Sequence, residues 1–333
     1  MFRSSIENRV FMQSPPGTKV NPSTAELQSA WARLPSGYET PEKRPTLEDA
    51  NRYCERLARS HYENFSVATW FLPRRLRKHF YSVYAYCRIS DDLGDEVGDP
   101  QLSLALLDEW QQELDKLYGY MADRLHPAPR HPVFVALEPT VKECGIPQHE
   151  FSDLLIAFRQ DQTVTRYETF EDVLGYCKNS ANPVGHLVLY LCGYHDPERQ
   201  QLSDFTCTAL QLANFWQDVA VDYAKGRIYL PLEDMRRFKV TEQQIADRRF
   251  SPEFRELMQF EVHRAHRWFE LGLPLAEAVD RELALDIELF SRGGQAILRA
   301  IEKQGYDVLT RRPVVSKGRK MGLLLRALLG KLA

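Results

Sequence analysis

Long apolar runs are absent from this sequence. No stretch of 18 or more consecutive apolar residues occurs, so no segment is predicted to span a membrane. The opening residues, MFRSSIENRV, lack the apolar core of a secretory signal peptide. The six cysteines are scattered and include no CxxC pair, which argues against a disulfide framework or a zinc site. These absences predict a cytoplasmic protein with reduced, buried thiols.

Alternating strand patterns of useful length, internal repeats and Gly-rich phosphate loops are absent as well. Apolar residues recur instead at helical spacing, which predicts an all-α protein with one compact domain. The net charge of −3 over 333 residues gives no indication of a nucleic-acid partner. His263 and His266 lie three residues apart, but no Cys or acid cluster completes a zinc pattern around them, so they are interpreted as structural.

Composition divides the chain into three parts. Residues 1–45 hold six of the nineteen prolines with many Ser, Thr and Asn residues, which predicts a flexible N-terminal extension. Residues 46–312 carry the helical patterns of the domain, which predict helices over 241–250 and 252–279, a break at Asn182-Pro183 and a helix end capped by Gly226. Residues 313–333 form a basic amphipathic tail, and the stretch 311–333 has seven Lys or Arg and no acid. A helix of this kind docks on its own domain or lies on an anionic membrane surface, and both remain open.

The most informative stretch is Gln211–Asp222, QLANFWQDVAVD. It lies in a run, residues 205–224, that has no Lys or Arg and is apolar almost all round, as is typical of a buried helix. Asn214, Asp218 and Asp222 follow one another at i+4 spacing and therefore share one face. Bare carboxylates in an apolar interior cost several kcal/mol each unless they are paired or hold a cation. The stretch therefore predicts a metal-lined cavity.

A second helix, predicted from Arg74 to about Val97, changes character along one face. Its apolar stripe continues by i+4 steps into Asp91 and Asp95, within the acidic segment DDLGDEVGD. The stripe consists of Leu76, Phe80, Val83, Tyr84 and Cys87. A solvated acidic helix end is the alternative interpretation of such a pattern. The continuation of the stripe favours a second pair of inward-facing acids.

Two acid pairs that face one cavity suit Mg²⁺, which prefers hard oxygen ligands and shares its coordination with substrate phosphates. Two or three such ions bridging the helices to a diphosphate remove the repulsion between the acids and stabilise the departing pyrophosphate. Arg88, Lys178 and Arg227 are predicted to take up the remaining phosphate charge. Aromatic and aliphatic walls shelter an isoprenoid chain and offer π faces to a carbocation. We therefore expect a prenyl diphosphate substrate.

Residues 58–320 resemble the squalene/phytoene synthases, the all-α head-to-head isoprenoid synthases. The resemblance is carried in register by NFSVATWFLPRRLR, YAYCRISDDLGDE, YCKNSANPVG, QLANFWQDVAVDYAKGRIYLP and ILRAIEKQGYDVLTRR. It implies an isoprenoid-synthase bundle around a central apolar cavity. It also implies that the two aspartate motifs bind metal through Asp91, Asp95, Asn214, Asp218 and Asp222, and that catalysis uses these aspartates with Tyr84 and Tyr176. The substrate-binding positions it implies are His61, Phe65, Arg88, Gln211, Asn214, Gln217, Arg227 and Tyr229.

Departures from the family pattern point to one branch. Gln217 stands where the family usually has Arg, the usual apolar V-A-G-x-V-G becomes SANPVG at 180–185, and Gly294 stands where a tyrosine is common. The segments NFWQDVAVD, ENF and SANPVG together resemble hydroxysqualene synthase of the hopanoid pathway, which implies presqualene diphosphate as substrate, water as the nucleophile and no nicotinamide cofactor. Polar groups at 179, 180, 182 and 217, with less bulk at 294, leave room for a water beside the cation.

Two other functions remain open. Condensation of two farnesyl or geranylgeranyl diphosphates, to squalene, presqualene diphosphate or phytoene, uses the same motifs, and cavity depth decides the chain length. A catalytically silent, membrane-associated assembly protein is the third possibility. Such relatives typically lose motif aspartates, whereas all four aspartates stand here, and unneeded buried acids are costly. An enzyme is therefore favoured, and for its tail peripheral contact at the inner membrane surface and docking on its own domain both stay open.

Overall fold

A computed structural model describes residues 22–60 and 75–314, and this part of the chain is built from α-helices. In chain order they are α1 (Thr24–Trp31), α2 (Leu47–Ser60), α3 (Arg77–Asp95), α4 (Pro100–Ala122), α5 (Pro132–Cys144), α6 (His149–Gln160), α7 (Phe170–Ser180), α8 (Asn182–Leu191), α9 (Pro197–Ala224), α10 (Leu232–Arg237), α11 (Glu242–Ala246), α12 (Pro252–Gly272) and α13 (Arg281–Lys303). A 3₁₀ helix, Leu273–Glu277, joins α12 to α13. Within these residues the β-type pairing is one isolated bridge between Arg166 and Ile228. The predicted all-α class is confirmed.

Helix ends follow local capping chemistry. The Asp99 carboxylate accepts hydrogen bonds from the N–H groups of Gln101 and Leu102 and so starts α4, which gives this acid of the DDLGDEVGD segment a structural role. Gly226, with φ of +84°, follows the end of α9, as its predicted cap position requires. The predicted break at Asn182-Pro183 is confirmed, because α7 ends at Ser180 and α8 begins at Asn182.

Helices between residues 232 and 279 differ from the sequence prediction. The helix expected over 241–250 ends at Ala246, and the one expected over 252–279 ends at Gly272. Pro274 has no N–H for an α-helical hydrogen bond, and the chain continues there as the 3₁₀ helix. The short helix α10 lies between RIYLP and residue 241, where no helix is predicted. Its six residues are too few for a helical period to show in the sequence.

The core has two main parts. In the N-terminal half, the rings of Tyr86, Trp110 and Phe151 pack together, with ring centroids 4.9–5.9 Å from that of Tyr86. In the C-terminal half, Trp216 of α9 and Phe254 of α12 are among the largest fully buried side chains. Helix α9 packs against α7, α8, α12 and α13. This central position explains its nearly uniform apolar sequence.

The N-terminal boundary lies earlier than predicted. Residues 1–45 were expected to be a flexible extension, yet α1 starts from a Ser23 capping box, and Leu34 and Tyr38 are buried against the core. The Tyr38 hydroxyl donates a 2.6 Å hydrogen bond to Asp92. A proline-rich stretch can still pack closely when its few large apolar side chains find a groove. Residues 1–21 lie outside the described part of the chain.

The C-terminal tail is described only at its start. Pro313 and Val314 belong to the structure, whereas the predicted amphipathic helix of residues 317–333 lies outside the described residues. Of the helices in residues 22–60 and 75–314, none combines the length and apolar character that crossing a bilayer requires.

Candidate active site

The two predicted acid pairs meet at one end of the helical bundle. Asp91 and Asp95 lie in the last turns of α3, and Asp218 and Asp222 in the last two turns of α9. The turn after α9 then carries Arg227 to Asp95, with 3.3 Å between guanidinium nitrogens and the carboxylate. Two helices that are distant in sequence therefore place their acids together, at what we call the acidic pole.

Residues 225–232 are held in place by a neighbouring strand-like segment. The Ile228 N–H donates to the carbonyl of Thr165 at 2.9 Å, and the Leu232 N–H donates to that of Tyr167 at 2.9 Å. These bonds set residues 225–232 beside residues 161–168. Arg227 therefore also lies near Asp161, whose backbone carbonyl accepts a 3.5 Å hydrogen bond from it.

The acids lie at an open end of the bundle rather than in the enclosed interior expected from sequence. Side chains of Asp91 and Asp95 are 48% and 33% exposed, and Asn214 is exposed. Asp218 is buried and Asp222 is half-buried. The face of α3 that carries the i+4 stripe is therefore buried at the start of the helix and partly exposed at its end, because the last turns extend beyond the apolar core. The fully buried acid of this segment is Asp92, which pairs with Arg88.

Electrostatics at the acidic pole favour a bound cation. Burial raises the pKa of Asp91 to about 6, although Arg88 opposes the shift. Burial and the neighbouring charge of Asp218 raise the pKa of Asp222 to about 7. The charge of Asp95 adds to the rise at Asp222, which shows that the two pairs act on each other across the pole.

Arginines neutralise part of this charge. Arg88 donates to Asp91 at 3.3 Å and to Asp92, and Arg227 pairs with Asp95. Arg312, near the end of the described chain, forms a two-pronged ion pair with Asp218, which includes a 2.9 Å contact. Arg312 was not predicted as a site residue, although it closes the last family motif. Its distance from Asp218 in sequence left no spacing signal.

Gln217 holds the chain that carries Arg312. Its amide donates a 2.6 Å hydrogen bond to the Pro313 carbonyl, and its carbonyl oxygen accepts from Arg312 at 3.3 Å. Both ends of this amide are therefore engaged, so Gln217 does not supply the water-binding group expected from sequence. Lys178 is exposed, and within the described residues no ion pair joins it to the acid pairs.

An aromatic cluster lines the inner side of the acidic pole. Tyr229 stacks on Phe215 with a centroid separation of 3.8 Å, and Tyr176 lies 6.0 Å from Phe215. The Tyr176 hydroxyl donates a 2.9 Å hydrogen bond to Asp161. Asp161 was missed by sequence reasoning, because it directly follows α6 and belongs to no acid spacing on a helix face.

An apolar cavity of about 320 Å³ lies between α3, α8, α9 and α13. Its walls include Phe80, Tyr84 and Cys87 of α3 and Leu210 of α9. These residues precede the acids on both helices, and eight residues separate Leu210 from Asp218, or about 12 Å along the helix. The predicted central apolar cavity is confirmed, and on both α3 and α9 the acids follow the cavity residues toward the helix end.

Glycine at position 294 leaves no room for a water. A methyl group there would lie 2.5 Å from Cζ of Phe269 and 2.8 Å from Cδ2 of Leu210. The expectation of free space at this position is therefore wrong, because Phe269 already occupies it.

The polar residues at the α7–α8 break differ in their hydrogen bonding. Asn182 accepts a 3.1 Å hydrogen bond from Thr208, whereas the Ser180 hydroxyl is buried without a hydrogen-bond partner in the described residues.

The remaining predicted residues are placed as follows. Gln211 is half-buried one turn before the exposed Asn214, and half-buried Asn179 precedes the α7–α8 break. His61 and Phe65 lie outside the described residues.

The carboxylates of the acidic pole suit Mg²⁺ only when a substrate supplies further ligands. Within residues 22–60 and 75–314, no group of three or more His, Cys, Asp and Glu side chains could hold a metal ion by itself. The acidic pole offers carboxylates in pairs from two helices, next to guanidinium groups. Mg²⁺ binds in such settings through one or two carboxylates, with waters and substrate phosphates as its other ligands. The chemistry of the residues therefore fits the ion.

Residues 58–319 match the family model described as squalene/phytoene synthase. The chain belongs to the squalene/phytoene synthase family. Its fold is similar to the crystal structure of squalene synthase HpnC from Alicyclobacillus acidocaldarius, with 44% identity and a TM-score of 0.72 over 83% of this chain and 98% of that one. A dehydrosqualene synthase structure is similar at 26% identity and a TM-score of 0.74, over 85% of this chain and 96% of that one.

Curated relatives of this squalene/phytoene synthase family member include phytoene synthases. That of Arthrospira platensis is 29% identical over 83% of this chain and 91% of its own length. The 15-cis-phytoene synthase of Synechocystis is 28% identical over 85% of this chain and 86% of its own length. The resemblance inferred from the five sequence motifs is confirmed, and the chain is a prenyl diphosphate-processing enzyme of this family.

Proposed function

We propose that this protein ionises presqualene diphosphate and captures the resulting carbocation with water, which yields hydroxysqualene and diphosphate. The arrangement that supports the family chemistry is a pole with four motif aspartates and three arginines, next to an apolar cavity. The branch is supported by the SANPVG and NFWQDVAVD segments and by 44% identity to squalene synthase HpnC. The Ser180 hydroxyl, which is buried and has no hydrogen-bond partner in the described part of the chain, also supports capture by water.

In the proposed mechanism the acidic pole holds the diphosphate and the cavity holds the hydrocarbon. Asp91, Asp95, Asp218 and Asp222 would hold Mg²⁺, with Asn214 at the exposed end of the same face. When bound, Mg²⁺ supplies positive charge that stabilises the departing diphosphate. Arg88, Arg227 and Arg312 leave their carboxylate partners and donate to the phosphate oxygens.

The aromatic cluster acts on the hydrocarbon part of the substrate. Rings of Tyr176, Phe215 and Tyr229 present π faces between the acidic pole and the cavity, where a carbocation is stabilised by the negative ring faces. Tyr84 borders the cavity one turn before Arg88. The apolar walls exclude bulk water, so that only a water held at a defined position reaches the cation.

Head-to-head condensation is the second candidate function. The similar solved structure of a dehydrosqualene synthase and the curated phytoene synthases favour it, since both are family relatives that cover most of this chain. The same acidic pole and cavity suit two farnesyl or two geranylgeranyl diphosphates.

Product analysis separates these functions. Purified protein with Mg²⁺ is incubated separately with farnesyl, geranylgeranyl and presqualene diphosphates, and products are identified by mass spectrometry. Hydroxysqualene from presqualene diphosphate supports the proposal, whereas phytoene or presqualene diphosphate as product supports condensation.

Asp91→Asn and Asp218→Asn are expected to lower turnover at least 100-fold, since each removes a carboxylate from the pole. Glu96→Gln, an exposed acid at the end of α3, is the matched control and should retain activity.

Membrane contact by the tail is a separate proposal. Residues 317–333 are proposed to bind anionic liposomes through their basic and leucine-rich faces. Cosedimentation of the full chain and of a chain truncated at Val315 with anionic vesicles tests it, and equal binding by both would contradict it.

A further inference from the structure

Asp161 and Ser180 flank Tyr176 at the inner side of the acidic pole. Asp161 lies one residue beyond α6, and its Oδ2 accepts the hydrogen bond from the Tyr176 hydroxyl. Its Oδ1 is buried and has no hydrogen-bond partner among the described residues. A buried carboxylate oxygen in this condition calls for an explanation, because most such atoms are paired in native proteins.

Ser180 provides a second buried polar atom without a partner. It follows Tyr176 by four residues on α7, so both side chains lie on one helix face about one turn apart. The Ser180 hydroxyl is buried and makes no hydrogen bond with any residue that the structure describes. A hydroxyl in this condition is typical of a place where a water or a ligand group completes the hydrogen bonds.

Tyr176 lies between the diphosphate end and the hydrocarbon end of the site. It packs beside Phe215, which is three residues before Asp218 and five after the cavity residue Leu210. Burial, with the nearby charge of Asp161 adding to it, raises the pKa of Tyr176 well above 10, so its hydroxyl keeps its proton. That proton points to Asp161. The Tyr176 oxygen also shares a hydrogen bond with the Tyr229 hydroxyl, so one of its two lone pairs remains to accept a hydrogen bond from another molecule.

We propose that Ser180 and Tyr176 hold the water that captures the carbocation, and that Asp161 receives the proton that this water loses. The inference rests on the proposed function and assigns its nucleophile a site. Tyr176 touches the reacting water, whereas Asp161 acts through Tyr176 as a positioning and proton-accepting residue. Ser180 also stands where the family pattern usually has an apolar residue.

The step balances in atoms and charge. The water oxygen forms a C–O bond with the cationic carbon, and one water proton passes to the Tyr176 oxygen as the phenolic proton passes to Asp161 Oδ2. The products are a neutral alcohol, a neutral tyrosine and a protonated Asp161, which later releases its proton to solvent. Burial raises the pKa of Asp161 to about 6, although Arg227 opposes the shift, and this value suits a group that accepts and releases protons near neutrality.

The experiment measures two products in one reaction of the full-length protein with presqualene diphosphate and Mg²⁺. Released diphosphate reports ionisation, and the alcohol, quantified by mass spectrometry, reports capture by water. Asp161→Asn keeps an oxygen that accepts the Tyr176 hydrogen bond but takes no proton. It is expected to lower the alcohol formed per diphosphate at least tenfold, with olefins or rearranged alcohols in its place. Ser180→Ala and Tyr176→Phe are expected to lower the same ratio.

Tyr167→Phe is the matched control, because the Tyr167 ring lies 5.7 Å from that of Tyr176, while its hydroxyl is 3.4 Å from Gln160 and takes no part in the proposed path. Its alcohol yield per diphosphate should equal that of the unmodified protein. Combining Asp161→Asn with Tyr176→Phe should add nothing to the single changes, because both break one path. An unchanged ratio in Asp161→Asn and Ser180→Ala would overturn the assignment.

Two further outcomes separate this inference from the proposed function. Equal loss of diphosphate release and alcohol in folded Asp161→Asn would place Asp161 at ionisation and overturn the relay. If the unmodified protein forms no alcohol and instead condenses two prenyl diphosphates, the proposed function itself fails, and the relay fails with it. Thermal melting of each variant identifies loss of folding. If Asp161→Asn or Tyr176→Phe fails to fold, the alcohol yield per diphosphate of Ser180→Ala, the smallest change, tests the proposal: a lowered yield supports it and an unchanged yield overturns it.

Discussion

At the scale of single residues, two adjacent glycines of α13 have opposite surroundings. A methyl group at Gly294 would meet Phe269 and Leu210 within 2.8 Å, whereas one at Gly293 would meet nothing within 4 Å. Gly294→Ala is expected to lower the free energy of unfolding by about 1–3 kcal/mol through overpacking. Gly293→Ala is expected to raise it by up to about 1 kcal/mol through helix propensity. Urea unfolding measures both, and shifts of the same sign would contradict the packing at residue 294.

Tyr38 supplies a second residue-scale prediction. Its hydroxyl donates at 2.6 Å to Asp92, a carboxylate that is only 2% exposed and also accepts from Arg88. Tyr38→Phe removes a hydrogen bond to a charged group and should lower the free energy of unfolding by about 1.5–3 kcal/mol. Tyr53→Phe is the control, since its hydroxyl donates to the neutral carbonyl of Gly37 at 2.8 Å. Equal losses in the two variants would show that the Asp92 charge does not matter.

At the scale of helices, His186 ties α8 to two neighbours. Its Nδ1 lies 3.0–3.1 Å from the Glu150 carboxylate of α6, and its Nε2 lies 2.8 Å from Asp204 of α9. Burial alone lowers the pKa of His186, but the hydrogen bonds to Asp204 and Glu150 outweigh it and raise the pKa to about 9. The ordinary value is 6.5, so protonated His186 stabilises the fold.

This stabilisation is expected to depend on pH. It is present in full below about pH 6.5 and is lost as the pH rises through 9, with a total of about 3 kcal/mol at most. The difference in unfolding free energy between the unmodified protein and His186→Gln should therefore shrink between pH 6.5 and 9.5. His126→Gln, at an exposed pair with Asp123, serves as control. A difference that stays constant over this range would refute the charged clamp.

Helix ends also explain which part of the site was accessible to sequence reasoning. Asp91 and Asp95 continue the apolar stripe of α3, and Asp218 and Asp222 repeat at i+4 on α9, so helical period alone grouped them into pairs. The period does not say where a helix leaves the core. The α3 acids therefore proved partly exposed, although their stripe begins at the buried Leu76 and Phe80.

At the scale of the whole molecule, the acidic pole should couple ligand binding to stability. A ligand that binds only the folded chain stabilises it, and at a hundredfold excess over Kd the gain of about 2.7 kcal/mol raises the melting temperature of a 333-residue chain by roughly 4 °C. Mg²⁺ with inorganic diphosphate should produce this shift, whereas diphosphate with a chelator should not. Asp91→Asn and Asp218→Asn should abolish it, and Glu96→Gln should keep it. A full shift in both aspartate variants would disprove the metal site.

The sequence by itself determined the all-α class, most helix positions, the two acid pairs and the family, because these depend on local period and on motifs in order. Tertiary structure alone decided what lies beside the pairs. Arg312 reaches Asp218 across 94 residues, and Asp161 follows a helix end, so neither forms a local pattern. Packing likewise decided that Phe269 fills the space at Gly294 and that Tyr38 is buried. Such contacts depend on how segments that are distant in sequence pack against one another, and the spacing of residues along the chain does not specify that packing.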